Sequence, residues 1–304
     1  MTLRQYAQLG LCPYHCDQCS FLWLRSQVPS LHTLSSNVSR EICTYLSRLP
    51  TLIALQNNSI VLRSLTNSHT SRFQLASPLP TQALFTHLTT NSVMCLGGQP
   101  VSADALVVVL RGTEAVTGHS RMLEARFWPG VIKLGPFIYV FGGKDKSGRA
   151  MVASERFSAL DGEWKPLPRM SFSRVAFSPC LFANLIYLPE ASSKRKPFES
   201  FNPSTLQYHR IPIYLVEPRF FGSVSFLISD TLCYISRSGR LGKWNVREIE
   251  QGKALGNCQL SETNLGLSCC SPVVLGKEGF WVRIDTGEMV TFHADSNQIV
   301  IREL

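Results

Sequence analysis

Three cysteines lie close together near the start of the chain, Cys12, Cys16 and Cys19, with His15 among them and His32 and Cys43 downstream. The two-residue gap between Cys16 and Cys19 lets two thiolates reach one tetrahedral Zn²⁺. A structural zinc centre would draw on Cys16, Cys19, His32 and either Cys12 or Cys43. No second ligand pair at matching spacing accompanies them, which favours free thiols and leaves zinc as the alternative. The other reactive residue types form no constellation. There is no Gly-x-Ser-x-Gly elbow, no His-Glu-x-x-His helix and no phosphate loop, and Gly142-Gly143-Lys144 lacks the later glycine, lysine and hydroxyl that such a loop needs. The seven histidines are dispersed. Neither catalysis nor any cofactor beyond the candidate zinc is expected.

Binding chemistry is the remaining option. The chain of 304 residues carries a formal net charge of +9, which favours acidic partners. Its basic residues are scattered. The densest groups are Lys194-Arg195-Lys196 and the stretch with Arg237, Arg240, Lys243 and Arg247. Neither interleaves aromatics with basic residues as a nucleic-acid platform does, so no nucleic acid is expected. Arg195, Arg237 and Arg240 are the candidate binding residues, provided the fold brings them to one surface.

The elements that would position them show in a repeat. A short apolar cluster recurs as Leu52-Ile53-Ala54-Leu55, Val93-Met94-Cys95-Leu96, Ile138-Tyr139-Val140-Phe141, Leu185-Ile186-Tyr187-Leu188, Leu232-Cys233-Tyr234-Ile235 and Phe280-Trp281-Val282. Successive first residues are 41, 45, 47, 47 and 48 apart. β-Branched and aromatic residues bounded by Gly, Pro, Asn and Ser indicate strands. An unbroken apolar run indicates a strand covered on both faces. Six such strands at a period in the forties predict a six-bladed β-propeller of four-stranded sheets. The blades fall near 47–77, 81–125, 126–170, 173–214, 218–258 and 266–304. The last looks complete within itself, which leaves blades one and six to close the ring by packing. Blade one looks short, and Glu41 to Leu49 are candidates for its innermost strand.

Blade three carries the most specific motif. Gly142-Gly143 follow its second strand, Phe157 lies on the third, and Trp164 follows with six residues between it and Phe157. The blade ends in Pro166-Leu167-Pro168-Arg169-Met170. This pattern resembles a Kelch repeat. Blade two keeps Gly97-Gly98, blade four keeps the aromatic spacing as Phe201 and Tyr208, and blade six keeps the separation as Phe292 and Ile299. Gln56-Asn57, Pro189-Glu190, Ser236-Arg237 and Ile284-Asp285 stand where the other glycine pairs would be. The resemblance implies an all-β, six-bladed Kelch-type propeller over 47–304 that presents loops to a protein partner. Some propellers of this kind are mutarotases of similar size, which is the enzymatic alternative.

Residues 1–46 form an extension with a different character. Val38, Ile42, Tyr45 and Leu46 share one face of a predicted short helix, capped by Ser36 or Asn37 and ended by Pro50. If that helix acts alone, an adaptor to a ubiquitin ligase or to the cytoskeleton becomes the second alternative. No apolar run approaches the ~20 residues of a membrane span, and no signal sequence is evident. A cytoplasmic scaffold binding an acidic protein partner, with most cysteines reduced and buried, is the expectation.

Overall fold

The apolar clusters form strands at all six positions. A computed structural model of the chain describes residues 51–303, apart from 57, 66–68, 90–91, 112–113, 190–196, 214–222, 237–238, 250–253, 261–264, 266–271, 284–285 and 287. The fold is all-β, a six-bladed propeller. Blade one is described by β1 (Thr51–Gln56), β2 (Ser59–Ser64) and β3 (Thr70–Leu75). Blade two has β4 (Leu84–Thr89), β5 (Ser92–Leu96), β6 (Ser102–Arg111) and β7 (Glu114–Arg126), and blade three has β8 (Gly130–Leu134), β9 (Phe137–Phe141), β10 (Ser154–Ser158) and β11 (Trp164–Leu167). Blade four comprises β12 (Cys180–Phe182), β13 (Leu185–Leu188), β14 (Phe198–Asn202) and β15 (Gln207–Ile211). Blade five comprises β16 (Ser223–Ile228), β17 (Thr231–Ser236), β18 (Arg240–Asn245) and β19 (Ala254–Gln259). Blade six comprises β20 (Val273–Leu275), β21 (Glu278–Val282), β22 (Met289–His293) and β23 (Gln298–Arg302).

In blades two to six the strands pair antiparallel in chain order, and the apolar clusters occupy the second strands β5, β9, β13, β17 and β21. In blade one the cluster lies on β1, which is buried from Thr51 to Ala54, whereas β3 is half-buried or exposed up to Leu75. These burial patterns match a second and an outer strand. The position inward of β1, and the expectation that Glu41 to Leu49 fill it, fall outside the described residues. So do the helix and the cysteines and histidines of the N-terminal extension, Cys12, Cys16, Cys19, His32 and Cys43 included.

Side chains of neighbouring sheets fill each junction. Met94, Leu96, Ile138, Val140 and Phe157 join blades two and three. Tyr139, Phe141, Ile186 and Phe201 join blades three and four. Phe198, Leu232, Tyr234 and Trp244 join four and five, and Phe226, Trp281 and Phe292 join five and six. The ring closes through Leu52, Ile53 and Ala54 against Phe280, Val282 and Met289, as the sequence led us to expect. Each fully buried Val, Leu, Ile or Phe contributes about 1.5–3 kcal/mol, so the radial stack carries most of the cohesion.

One connection is absent from the sequence-based expectation. β6 and β7 form a hairpin of 10- and 13-residue strands, and its far end pairs in parallel with β3 through Gln74–Glu114 and Leu75–Ala115. Blades one and two therefore share one seven-stranded sheet.

His87 on β4 adds a pH-dependent element. Its Nε2 is buried without a hydrogen-bond partner. Burial lowers its pKa to about 4, Lys133 adds to the depression, and a backbone hydrogen bond at Thr51 opposes it. A folded-state pKa below the unfolded value means that the stabilisation is complete above pH 6.5 and is lost as pH falls towards 4. The full loss corresponds to about 3 kcal/mol. Urea unfolding at pH 7 and pH 4.5 is expected to show a fall in stability that His87→Gln largely removes. An unchanged fall in the variant would place the acid sensitivity elsewhere.

Candidate interaction face

We define the upper face as the one at which the innermost strands begin. Two sets of connections emerge there, from each outer strand to the next innermost strand and from each second strand to the third. The double glycines sit at the root of the second set. Gly142 and Gly143 have φ of 60° and 96°, and Gly97 and Gly98 have φ of 61° and 108°. Only glycine adopts this region freely. A Cβ on Gly142 would overlap the carbonyl oxygen of Arg174, and one on Gly97 would overlap that of Arg126. The Gly143 N–H donates to the Arg174 carbonyl at 2.8 Å. The glycines thus admit the backbone of the arginine that leads into the next blade.

Those arginines are the largest feature missed by sequence reasoning. Arg126 donates from Nη1 to the carbonyls of Gly142 (2.8 Å) and Ala153 (3.0 Å), and from Nη2 to Glu155 Oε1 at 2.6 Å. Arg174 donates from Nη2 to Pro197 O at 3.0 Å, from Nε to Pro189 O at 3.3 Å, and from Nη1 to Glu199. Both ion pairs are at most 1% exposed. Burial lifts the Glu155 carboxyl above its ordinary range, with Arg126 opposing, and burial lowers Arg126. Each arginine starts beside one blade and ends on the third strand of the next. The available sequence signal was a glutamate two residues before each blade aromatic, at Glu155–Phe157 and Glu199–Phe201.

The aromatic pairs lie where the spacing put them. Phe157 faces Trp164 across β10 and β11 with ring centroids 5.3 Å apart, and Phe201 faces Tyr208 across β14 and β15 at 4.8 Å. Phe292 and Ile299 are also direct partners. Trp164 Nε1 donates to Ser120 Oγ of blade two at 2.9 Å, and Tyr208 Oη to Ser154 Oγ of blade three at 3.0 Å. Each outer aromatic therefore holds the preceding blade by its polar tip.

At the surface of this scaffold, Lys144 Nζ lies 5.9 Å from the Phe127 ring centroid and 5.4 Å from that of Trp128. The residues that follow form a tight loop about Asp145. Asp145 Oδ1 accepts the Ser147 and Arg149 N–H groups at 2.8 and 2.9 Å, and Oδ2 accepts Arg149 Nε at 2.9 Å. The Arg149 amide bond is the leading cause that holds the Asp145 carboxyl below its usual range. Lys146, Arg149 and Arg169 are exposed on this face. Arg240 is exposed at the start of β18, where its N–H donates to Ser236 Oγ at 3.1 Å. Arg195 and Arg237 fall outside the described residues.

The described thiols are poor nucleophiles. Burial raises Cys95 and Cys180 to about 12 and Cys233 to about 11, which keeps them protonated at neutral pH. This agrees with their expected role as small buried hydrophobes. Among the described residues no helix is long and apolar enough to cross a membrane. Neither the protein-family models nor the curated proteins include a match to this chain.

Proposed function

We propose that this chain is a Kelch-type propeller that serves as a non-catalytic scaffold and holds an acidic protein segment against its upper face. The Kelch reading is supported by the glycine pairs in left-handed conformation and by the directly paired Phe157–Trp164 and Phe201–Tyr208. The scaffold reading rests chiefly on one observation, the exposed basic side chains Lys146, Arg149, Arg169 and Arg240 on the upper face, the first three on loops rooted in buried ion pairs. Loops fixed in advance lose little entropy on binding, and a basic rim selects and steers acidic segments.

The test combines Arg195→Glu, Arg237→Glu and Arg240→Glu in one variant and titrates it with a fluorescent polyglutamate peptide. Affinity is expected to fall roughly tenfold, and added salt is expected to weaken the parent complex. The midpoint of thermal unfolding should stay put. Equal affinity for the parent and the variant would exclude these arginines, and no binding by the parent would exclude an acidic ligand on this face.

A further inference from the structure

The loop between β9 and β10 presents one hydroxyl in a basic setting. Ser147 is exposed at its tip, flanked by exposed Lys146 and Arg149, with Lys144 three residues before it and Arg149 two residues after it. Its backbone N–H is held by Asp145 at 2.8 Å. Its hydroxyl makes no hydrogen bond among the described residues. The loop is closed on itself, with Asp145 N–H donating to Arg149 O and Gly148 N–H to Asp145 O, each at 2.9 Å. Nothing in the buried core therefore depends on Ser147.

We propose that Ser147 is a phosphoacceptor for a serine kinase that selects basic side chains, and that its phosphorylation lowers the affinity of the upper face for acidic segments. Kinases discriminate substrates by charge pattern around the acceptor, and this loop offers basic groups on both sides. In the transfer, Ser147 Oγ bonds to the γ-phosphorus of ATP and the bond from that phosphorus to the β,γ-bridging oxygen breaks. ADP leaves, and the hydroxyl proton passes to the kinase base and then to solvent.

The consequence follows from charge. Residues 144–149 carry three basic side chains against one acidic, and a phosphoserine brings about −1.5 to −2 charges at pH 7. The local excess of positive charge is cancelled. The new dianion also competes for the Arg149 guanidinium, which prefers a bidentate phosphate, and it repels Asp145. The clasp between Asp145 and Arg149 is then replaced by one between the phosphate and Arg149.

The regulatory part rests on the acidic-segment reading above, whereas the acceptor part does not. The full chain is incubated with ATP and a serine kinase selective for basic sequences, and the phosphate is located by fragmentation mass spectrometry of a non-tryptic digest. One phosphate is expected at Ser147, absent from Ser147→Ala and acquired about tenfold more slowly in Arg149→Ala. If a free peptide spanning 142–152 is modified while the folded chain is not, or if neither is, the proposal is overturned. Polyglutamate titration of the phosphorylated and unphosphorylated chain is expected to differ by about threefold to fivefold. Equal affinities would overturn the regulatory part. Absence of binding by the unphosphorylated chain would overturn the acidic-segment reading and the regulation built on it, while the acceptor assignment stands on the mass data.

Discussion

Gly142→Val is expected to abolish stable folding of this chain. The substitution combines two costs. The residue has φ of 60°, where a β-branched side chain is strained by about 1–3 kcal/mol. The new Cβ also overlaps the carbonyl oxygen of Arg174. That carbonyl has little room to retreat, because it accepts the Gly143 N–H at 2.8 Å and belongs to a residue whose guanidinium is buried among Pro197, Pro189 and Glu199. Relief requires moving the junction between blades three and four. The total is expected to exceed about 4 kcal/mol, in the range where single substitutions unfold a domain. Gly148→Ala is the control, since its φ is 74° but nothing lies within 4 Å of an added Cβ. It is expected to cost about 1 kcal/mol. Soluble yield and thermal unfolding by circular dichroism distinguish the two, and Gly142→Ala provides an intermediate step if the valine variant cannot be purified. Equal unfolding midpoints for the Gly142 and Gly148 variants would show that the overlap is relieved cheaply.

Breaking the Arg174–Glu199 pair is the second large effect. The two side chains are 1% and 0% exposed. Glu199→Leu leaves a buried guanidinium without its counter-charge, and Arg174→Met leaves a buried carboxylate in the same state. Each is expected to destabilise the chain by about 3–5 kcal/mol. The double replacement Arg174→Met with Glu199→Leu removes both charges, and it should recover much of the loss because the pair itself has a large desolvation cost. The measurement is a double-mutant cycle of urea unfolding. If the double variant is as unstable as the sum of the single ones, the two groups are not coupled and the backbone acceptors around Arg174 carry the interaction instead.

The propeller was legible in the sequence because its second strands are covered on both faces. Such strands need unbroken apolar runs, and six of them at one spacing leave few other folds. The pairing of Phe157 with Trp164 was legible because a fixed separation across a short turn puts two residues opposite each other. The ion pairs were not legible. Arg126 and Arg174 are single arginines next to Phe127 and Val175, and only the fold tells a buried guanidinium from a solvated one. The reach of β7 back to β3 was hidden as well, since parallel pairing of two residues leaves no periodic trace. For the candidate face, Arg240 was singled out from local charge density, and its side chain is exposed. Lys146, Arg149 and Arg169 were not singled out because they form no consecutive basic run such as Lys194-Arg195-Lys196, and only the antiparallel order of blade three brings the β9–β10 loop and the segment after β11 to one side of the ring.

Among the described residues, every buried charged side chain lies at the junctions of blades two to four. These contacts are directional and tolerate little sliding, and at the junction of blades five and six Lys243 Nζ reaches across to the Ala294 carbonyl at 3.2 Å and to Asn297 Oδ1 at 2.6 Å. Blades two to four thus form a stiff frame that fixes the positions of their own loops.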